Sequence, residues 1–324
     1  MGAKLLIIFT ILLILGVPVG FALIGSGIGY LFQTSESQLL TFVQRIIAST
    51  QSFPLLAIPF FILVGNLMNS SGITERMMNL AYVLTSRMIG GLAQVNIMVS
   101  TLLSGMSGSA NADVAMMSKI IYPDMVKQKY SPGFSAAITA ASSLISPLIP
   151  PGIALIIFAF VTNISTGRLF MGAIIPGFLL AVGLMITTYF ISKKRNYGKL
   201  SEEEVREAGS LRENFIKAIP ALIMPLIIIL GIRFGVFTPS EAGAFVVFYS
   251  LFLGFFVYKE LTIKKLLEGI KDTVYLTSAI LLIVAASSAF SWILTIEKIP
   301  HQFADLLLNI TESPYLMLIV IFVF

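Results

Sequence analysis

The sequence predicts an all-α polytopic membrane protein. Hydrophobic residues make up 57% of its 324 residues, and it carries only 21 Lys and Arg and 16 Asp and Glu. A soluble protein of this length has roughly 80 charged residues. Apolar runs recur from Leu5 to Phe324, so the deficit of charge extends over the whole chain and is not confined to one anchor. A water-soluble globular protein is thereby excluded.

The composition also argues against several kinds of chemistry. The sequence contains no cysteine, which removes disulfides, iron–sulfur clusters and thiolate zinc sites. Its single histidine, His301, argues against histidine-based metal or acid–base chemistry. The net charge of +5 indicates basic loops facing the cytoplasm rather than binding of nucleic acid. The apolar run after Lys4 resembles part of a signal peptide, but the many later apolar segments favour a first membrane helix.

Ten apolar segments mark the candidate membrane elements. The segments at 90–122 and 131–163 each contain 33 residues and are interrupted by Gly, Ser or Pro, whereas one crossing needs about 20 residues. We interpret the first as a re-entrant hairpin and the second as one broken crossing. The ten segments are 4–16, 17–32, 53–70, 90–122, 131–163, 168–191, 215–235, 240–258, 273–293 and 314–324.

The distribution of basic residues supports this assignment. With the N-terminus outside and the 90–122 hairpin entering and leaving on one side, four loops lie in the cytoplasm. These loops hold 16 of the 21 Lys and Arg. A crossing at 90–122 would move the later loops to the other side and remove the bias, so the positive-inside rule favours the hairpin. The four loops are 71–89, 119–130, 192–217 and 259–272.

The order of segments repeats along the chain. In each half an amphipathic stretch precedes a long apolar segment; LLTFVQRIIAST at 39–50 opens the first copy and LTIKKLLEGI at 261–270 the second. Because five predicted crossings precede residue 192, the second copy is inverted in the membrane, which is typical of transporters. The counterpart of the first hairpin begins near Pro314, so we expect the second hairpin to be incomplete at Phe324.

The first interrupted segment places polar residues at membrane depth. Residues 100–113 read STLLSGMSGSANAD, and such groups must be buried in protein or line an aqueous cavity, because lipid cannot satisfy them. Gly105 and Gly108 allow a sharp turn between two half-helices. That turn frees carbonyls for a cation and amide donors for an anionic group. Asp113 is expected to ligate an ion, relay a proton or cap the second half-helix.

The second interruption is SPLIPPG at 146–152. Its three prolines remove backbone donors and prevent a continuous helix. Carbonyls around Ser146 and Ile149 are thereby freed at mid-membrane, and a hard cation such as sodium prefers oxygen ligands. Close packing of small residues and a simple proline kink are alternative explanations for each break alone. Two breaks together favour a site for an ion and a substrate.

Parts of the sequence are also compatible with two other functions. The sequence GMSG at 105–108 matches the GxSG pattern around the nucleophile of rhomboid intramembrane serine proteases, with Ser107 as the nucleophile. Such a serine needs a histidine base, and the only histidine, His301, is predicted to lie on the outer surface. An ion channel is the second alternative. The inverted repeat and the two broken segments favour a carrier over both.

A series of ordered motifs covers nearly the whole chain. It resembles the large membrane subunit (M subunit, DctM-like) of tripartite ATP-independent periplasmic (TRAP) transporters. The motifs are LGVPVGFAL, FPLLAIPFFILVGNLMNSSGI, GMSGSANAD, AAITAASSLISPLIPPGIALII, STGRLFMGAIIPGFLL, GVFTPSEAGAFVVFYSLFLGFFVYKEL and AASSAFSWILTIEKIP.

The resemblance implies an inverted-repeat, elevator-type sodium symporter of the ion transporter superfamily, in the bacterial inner membrane. It also implies a small membrane subunit and a periplasmic substrate-binding protein as partners. The substrate implied is an organic acid of the C4-dicarboxylate or sialic acid class. The resemblance also implies a domain organisation. Residues 1–89 form scaffold helices and a first arm helix, and residues 90–163 form part of a transport domain. Residues 164–312 form further scaffold helices, the cytoplasmic loop 192–217 and a second arm helix, and residues 313–324 start a second hairpin.

The resemblance further implies that sodium (Na⁺) binds between the hairpin tip and the second break, next to the substrate. The family commonly has Gly where this chain has Ser146, a change that leaves a carbonyl ligand in place. A second hairpin and a final broken helix with an IGxxTPPVG-like segment are absent from this sequence, so a second sodium site is not located. The implied sodium ligands are Ser107, Ser109, Ser146, Ile149 and Pro151, with Asp113 acting indirectly. The implied substrate-binding residues are Ser109, Asn111, Pro150 and Gly152.

Overall fold

The computed structural model describes residues 3–34, 36–85, 87–200, 209–310 and 313–323. Every regular element in these ranges is helical, which confirms the all-α prediction. Among the described residues, five helical stretches are long and apolar enough to cross a membrane. They are Phe53–Ser70, Thr166–Lys194, Leu211–Arg233, Pro239–Val257 and Ile263–Ile296.

Short turns separate most of the helices. 3₁₀ turns lie at Glu36–Gln38 and Phe53–Leu56, and a π-helical turn lies at Leu253–Val257. The α-helices are α1 (Ala3–Ile14), α2 (Val19–Thr34), α3 (Leu39–Thr50), α4 (Ala57–Ser70), α5 (Ile73–Thr85), α6 (Gly91–Ser107), α7 (Ala110–Lys127), α8 (Pro132–Ser143), α9 (Ile153–Thr162), α10 (Thr166–Lys194), α11 (Leu211–Arg233), α12 (Pro239–Phe252), α13 (Ile263–Ile296), α14 (Ile299–Ile310) and α15 (Pro314–Val323).

The chain divides into two compact units, Met1–Ser52 with Ser278–Phe324, and Phe53–Thr277. The core of the first unit combines residues of α1, α2, α3 and the end of α13 around Phe42 and Phe290. Helix α3 is amphipathic, so Phe42 is buried while Gln44 on the opposite face is exposed. Gly27 of α2 leaves room for the ring of Phe42, since a side chain at 27 would collide with it.

The second unit contains both interrupted segments, and α6 is its central helix. Leu92, Val95 and Ile97 are fully buried although they lie on different faces of α6, as expected for a helix that is packed within protein on all sides. Helix α6 contacts α4, α5, α7, α8, α10 and α11. The first arm of the hairpin is therefore enclosed by other helices of this unit.

The N-terminal end of α8 is fixed by the segment that follows α10. The Ser131 backbone N–H donates to the Tyr197 hydroxyl over 3.0 Å, and the rings of Tyr130 and Tyr197 stack with centroids 4.3 Å apart. The hydrogen bonds with Ser131 lower the pKa of the Tyr197 hydroxyl, with a smaller contribution from Arg195. These contacts hold the start of the helix that leads to the second break.

Candidate functional site

The predicted break within 100–113 is present in the structure. Helices α6 and α7 are joined by Gly108 and Ser109 alone, and Gly108 has a φ of 56° and a ψ of 10°, a left-handed conformation that favours glycine. The expectation that Gly105 takes part in the turn is wrong, because Gly105 lies inside α6. A Cβ at 105 would lie 2.8 Å from Cβ of Pro225, so this glycine allows α11 to pack closely on the hairpin.

Ser109 starts the second arm of the hairpin. Its backbone is extended, and its Oγ accepts a hydrogen bond from the Ala112 N–H over 3.4 Å. Ser109 is thus the N-cap of α7, and the expectation that Asp113 caps this helix is wrong. Asn111 lies in the first turn and is exposed. Ser107 is the last residue of α6, and its side chain lies outside the described residues.

The second predicted break separates α8 from α9. After Ser143 the chain continues in tight turns, in which the Ser146 N–H donates to the Ser143 carbonyl over 3.1 Å. Gly152 is the N-cap residue of α9. Within the described residues, the carbonyl oxygens of Ser146, Ile149 and Pro151 accept no backbone hydrogen bond. The prediction that the prolines free carbonyl groups at this point is therefore confirmed.

The two breaks contact each other directly. The Ile153 N–H donates to the Gly108 carbonyl over 3.2 Å, and a Cβ at Gly108 would collide with the Pro151 carbonyl oxygen. Gly152 likewise lies against the Pro147 carbonyl. The structure thus brings the hairpin tip together with Pro151 and Gly152. The side chain of Ile149, in contrast, packs against Gly177 of α10.

Asp113 is buried in the first turn of α7, next to the hairpin tip. It is 1% exposed, and among the described residues neither of its carboxylate oxygens has a partner at hydrogen-bond distance and angle. The hydroxyls of Ser100 and Ser146 are the described side chains that interact with this carboxylate. Ser146 is itself fully buried. The predicted residues Asp113 and Ser146 are therefore neighbours, from different elements.

A buried polar network leads from Ser100 into α8. Ser100 Oγ donates to Ser142 Oγ over 3.3 Å, and Ser142 Oγ also donates to Asn96 Oδ1 over 2.9 Å. Asn96 Nδ2 donates to Thr139 Oγ1 over 2.8 Å. The sequence motifs described above do not indicate this network. The spacing of Asn96, Ser100 and Ser104 could have revealed it, since residues four apart share one face of a helix.

Two adjoining cavities lie beside α7. The larger encloses about 560 Å³ and is open to the outside, whereas the smaller has about 20 Å³ and reaches Asp113. Both are lined by Asn69, Ala112 and Met116. Lys119 and Asp272 give the larger cavity two charged side chains of opposite sign. The small cavity therefore adjoins the open cavity and reaches the buried carboxylate.

Comparison with known proteins identifies the family. Residues 6–324 match the family model described as the DctM component of the tripartite ATP-independent periplasmic transporter. The chain belongs to the TRAP transporter large-permease family. The predicted family is thereby confirmed over nearly the whole sequence.

Individual relatives of this TRAP permease agree with the family assignment. The sialic acid TRAP transporter large permease protein SiaM of Vibrio cholerae is 43% identical over 311 residues, which are 96% of this chain and 72% of the relative. The 2,3-diketo-L-gulonate TRAP transporter large permease protein YiaN of Escherichia coli is 34% identical over 95% of this chain and 72% of its own length. The sialic acid TRAP transporter permease protein SiaT of Haemophilus influenzae is 37% identical over 98% of this chain and 51% of its own length.

The family assignment settles several of the sequence-based expectations. The relatives are transporter permease subunits and not enzymes, so the protease alternative at Ser107 is not favoured. The TRAP permease is a multi-pass protein of the inner membrane. Its family implies two kinds of partner, a small membrane subunit and a periplasmic binding protein.

Proposed function

We propose that this TRAP permease is a sodium-coupled secondary transporter that imports a small organic acid by an elevator mechanism. The substrate belongs to the sialic acid or C4-dicarboxylate class and is delivered by the periplasmic binding protein. The observation that carries the proposal is the contact between the two helix breaks. An interrupted helix at membrane depth leaves polar backbone groups that need a ligand or a partner.

The sodium site of this proposal lies between the hairpin tip and the second break. The unbonded carbonyls of Ser146, Ile149 and Pro151 are the neutral hard oxygens that suit a dehydrated sodium ion. Ser107 and Ser109 supply the remaining ligands from the hairpin side, where the contact between Gly108 and Pro151 brings the two segments together. The donor set therefore fits sodium without requiring a carboxylate.

The substrate site lies at the same junction. The N-terminus of α7 presents backbone N–H groups and the positive end of the helix dipole, which attract a carboxylate. The N-terminus of α9 at Gly152 does the same from the second break. Relatives that carry sialic acid or 2,3-diketo-L-gulonate in their names transport organic acids. Ser109, Asn111, Pro150 and Gly152 are the residues proposed to contact such an anion.

The residues of the two breaks couple the ion to the substrate. When bound, sodium supplies a positive charge at the junction and the free energy of its gradient. The hairpin tip and the 146–152 segment close on each other and thereby complete the anion site. The hairpin and the broken helix at 90–163, with their inverted counterparts, then move as one transport domain against the scaffold helices. The residues at the tip thus bind, orient and release the substrate together with the ion.

Transport assays in proteoliposomes test this proposal. The TRAP permease is reconstituted with its small subunit, and uptake of labelled sialic acid is measured with the cognate binding protein outside, with and without a sodium gradient. The double variant Ser107→Ala with Ser146→Val is expected to lose at least about 90% of sodium-dependent uptake, because it removes a ligand and crowds the break.

Two controls make the transport assay decisive. Thr187→Ala removes a hydroxyl that bonds only to Gly183 of its own helix at an exposed site, so uptake by this variant is expected to equal that of the parent. Thermal unfolding of each variant shows whether it is folded. If the folded double variant retains full sodium-dependent uptake, the site assignment is wrong, and if the parent shows no sodium dependence, the coupling itself is wrong.

A further inference from the structure

An apolar stripe on helix α10 ends at two lysines. The stripe consists of Leu179, Val182, Ile186 and Phe190, whose side chains are 44–67% exposed. Because these residues are three or four apart, they share one face of the helix. Lys193 and Lys194 follow on the same face in the last turn of α10 and are exposed as well. One face of α10 therefore presents a hydrocarbon surface that ends in two cations.

Two further basic residues lie next to this end of α10. Arg195 donates from Nη1 to Ser131 Oγ over 3.1 Å, at the start of α8. Lys129 precedes Tyr130, whose ring stacks on Tyr197, so the end of α7 lies beside the turn that follows α10. Both basic side chains are exposed. The four cations form what we term the basic cluster, which consists of Lys129, Lys193, Lys194 and Arg195.

The basic cluster lacks an anionic partner within residues 3–34, 36–85, 87–200, 209–310 and 313–323, since none of its four members forms an ion pair there. The neighbouring Lys127 pairs with Asp124 over 2.8 Å and is therefore not counted in the cluster. Cations held close together repel one another unless an anion lies among them. On the predicted sidedness the cluster faces the cytoplasm, where the membrane leaflet carries anionic lipids.

Aromatic rings indicate that the basic cluster lies at the membrane interface. The ring centroid of Tyr197 is 4.3 Å from that of Tyr130 and 5.4 Å from that of Phe134, and the Arg195 guanidinium lies 5.7 Å from the Phe134 ring. Tyrosine rings are enriched where the hydrocarbon meets the headgroups, and lysines at helix ends extend into the headgroup layer. The basic cluster is thus placed at the depth of lipid phosphates.

The length of the apolar stripe matches one lipid leaflet. From Leu179 to Phe190 the helix rises ~16 Å at 1.5 Å per residue, and the hydrocarbon of one leaflet is ~15 Å thick. An acyl chain that runs along the stripe therefore places its phosphate beside Lys193 and Lys194. A free phosphate ion or an acidic protein segment has no comparable group for the apolar part of this surface.

We propose that the basic cluster and the apolar stripe together bind an anionic phospholipid of the inner leaflet. Its phosphate lies among the four cations, and one of its acyl chains covers the stripe. The lipid joins the end of α7 to the end of α10 and thereby stabilises the start of α8. This binding site is separate from the proposed sodium and substrate sites, and it depends on neither of them.

Lipid-dependent thermal unfolding tests the site without relying on transport. The permease with its small subunit is purified in a neutral detergent, stripped of lipid and unfolded at increasing concentrations of phosphatidylglycerol. A lipid that binds the folded protein raises the unfolding temperature with concentration. Phosphatidylglycerol is expected to do so, whereas phosphatidylcholine with the same acyl chains and soluble glycerol phosphate are not. These two arms distinguish the anionic lipid from lipid in general and from a free phosphate.

Substitutions in the basic cluster test which residues hold the headgroup. Lys193→Gln together with Lys194→Gln should raise the phosphatidylglycerol concentration at half-effect about tenfold or more, because two cations are removed. Lys129→Gln should raise it about threefold. Lys193→Arg together with Lys194→Arg keeps both charges and should keep the response. Lys4→Gln with Lys298→Gln is the matched control, since both lysines are exposed and lie on the predicted outer side, so its response should equal that of the parent.

Tryptophan fluorescence tests whether the lipid lies on the apolar stripe. Trp292 is the single tryptophan of the chain, so a Trp292→Phe background allows one tryptophan to be placed at will. Phe190→Trp reports on the stripe. Phe21→Trp is the control, because Phe21 is 58% exposed against 63% for Phe190, lies near the same predicted side and has no basic residue nearby in sequence.

Brominated lipids quench the tryptophan that they contact. In bilayers of phosphatidylglycerol and phosphatidylcholine, bromine is placed on the acyl chains of one lipid or of the other. At position 190, brominated phosphatidylglycerol should quench more strongly than brominated phosphatidylcholine at the same mole fraction. At position 21 the two should quench equally. Equal quenching at 190 would show that the anionic lipid is not enriched at the stripe, and the inference would be wrong.

Three other outcomes would also overturn the inference. The first is a parent that phosphatidylglycerol stabilises no more than phosphatidylcholine. The second is a phosphatidylglycerol response that appears only after Glu202, Glu203 and Glu204, which lie outside the described residues, are replaced by Gln; the chain itself would then neutralise the cluster. The third is loss of the small subunit from the variant Lys193→Gln with Lys194→Gln, which would assign the surface to a protein partner. Sodium-dependent uptake is measured separately, so none of these results bears on the proposed function.

Discussion

Glycine at position 108 meets two requirements of the hairpin tip. Its positive φ of 56° is a conformation in which other residues are strained, and its missing side chain leaves room for the Pro151 carbonyl. The first requirement makes the turn between α6 and α7, and the second brings the two breaks into contact. A side chain here therefore disturbs both the turn and the proposed ion site.

Gly108→Ala is predicted to destabilise the permease by about 1–3 kcal/mol through backbone strain, and to abolish sodium-dependent uptake because the breaks are forced apart. Gly133→Ala is the matched control, since a Cβ there meets no atom within 4 Å. Gly133 lies in the first turn of α8, and alanine there should be neutral or stabilise by up to about 1 kcal/mol. Thermal unfolding and proteoliposome uptake measure both. Equal behaviour of the two variants would contradict the role assigned to Gly108.

Individual site residues were predictable where local chain geometry determines them. The prolines at 147, 150 and 151 remove donors whatever surrounds them, so the freed carbonyls followed from the sequence. The environment of Asp113 did not follow, because Ser100 and Ser146 reach it only through the packing of three separate elements. Sequence also left open which residue caps α7; Ser109 does so, since it has the extended backbone that a cap requires.

Helices α6 and α8 are joined by the buried network of Asn96, Thr139 and Ser142. Thr139 Oγ1 is the acceptor for Asn96 Nδ2 at 2.8 Å, and Thr139 is 2% exposed. Thr139→Val keeps the shape of the side chain but leaves a buried amide N–H without an acceptor, at a predicted cost of about 1–3 kcal/mol. The positions of Ser100 and of the break after α8 depend on this joint, so sodium affinity should fall as well.

Thr187→Val provides the comparison for the network, because this hydroxyl bonds to Gly183 within its own helix at an exposed site. We expect a change of less than about 0.5 kcal/mol in its stability. Thermal unfolding in the presence and absence of sodium separates the two variants. If Thr139→Val is as stable as Thr187→Val, the network does not hold α6 and α8 together.

The lengths of the helices were only partly predictable from apolar runs. The run at 273–293 predicted the apolar part of α13, but that helix begins ten residues earlier, at Ile263. Hydropathy detects the portion that lipid can surround, whereas a helix continues into polar sequence such as KKLLEGIKD because its hydrogen bonds are internal. The break at 144–152 was predicted well, because proline acts on the backbone itself and not through hydropathy.

The sodium coupling proposed for the TRAP permease determines the net charge that crosses the membrane in each import cycle. If two or more sodium ions accompany one monoanion, each import cycle moves at least one net positive charge inward. A membrane potential of 100 mV contributes ~2.3 kcal/mol per charge, which corresponds to about a 50-fold change in the accumulation ratio.

Uptake of a monoanionic substrate such as sialic acid is therefore predicted to be electrogenic. In proteoliposomes with a fixed sodium gradient, an inside-negative potential set by potassium and valinomycin should raise both the initial rate and the final accumulation. Valinomycin without a potassium gradient is the control for the ionophore. Accumulation that is independent of voltage in the parent would show that transport is electroneutral and that only one sodium ion is coupled.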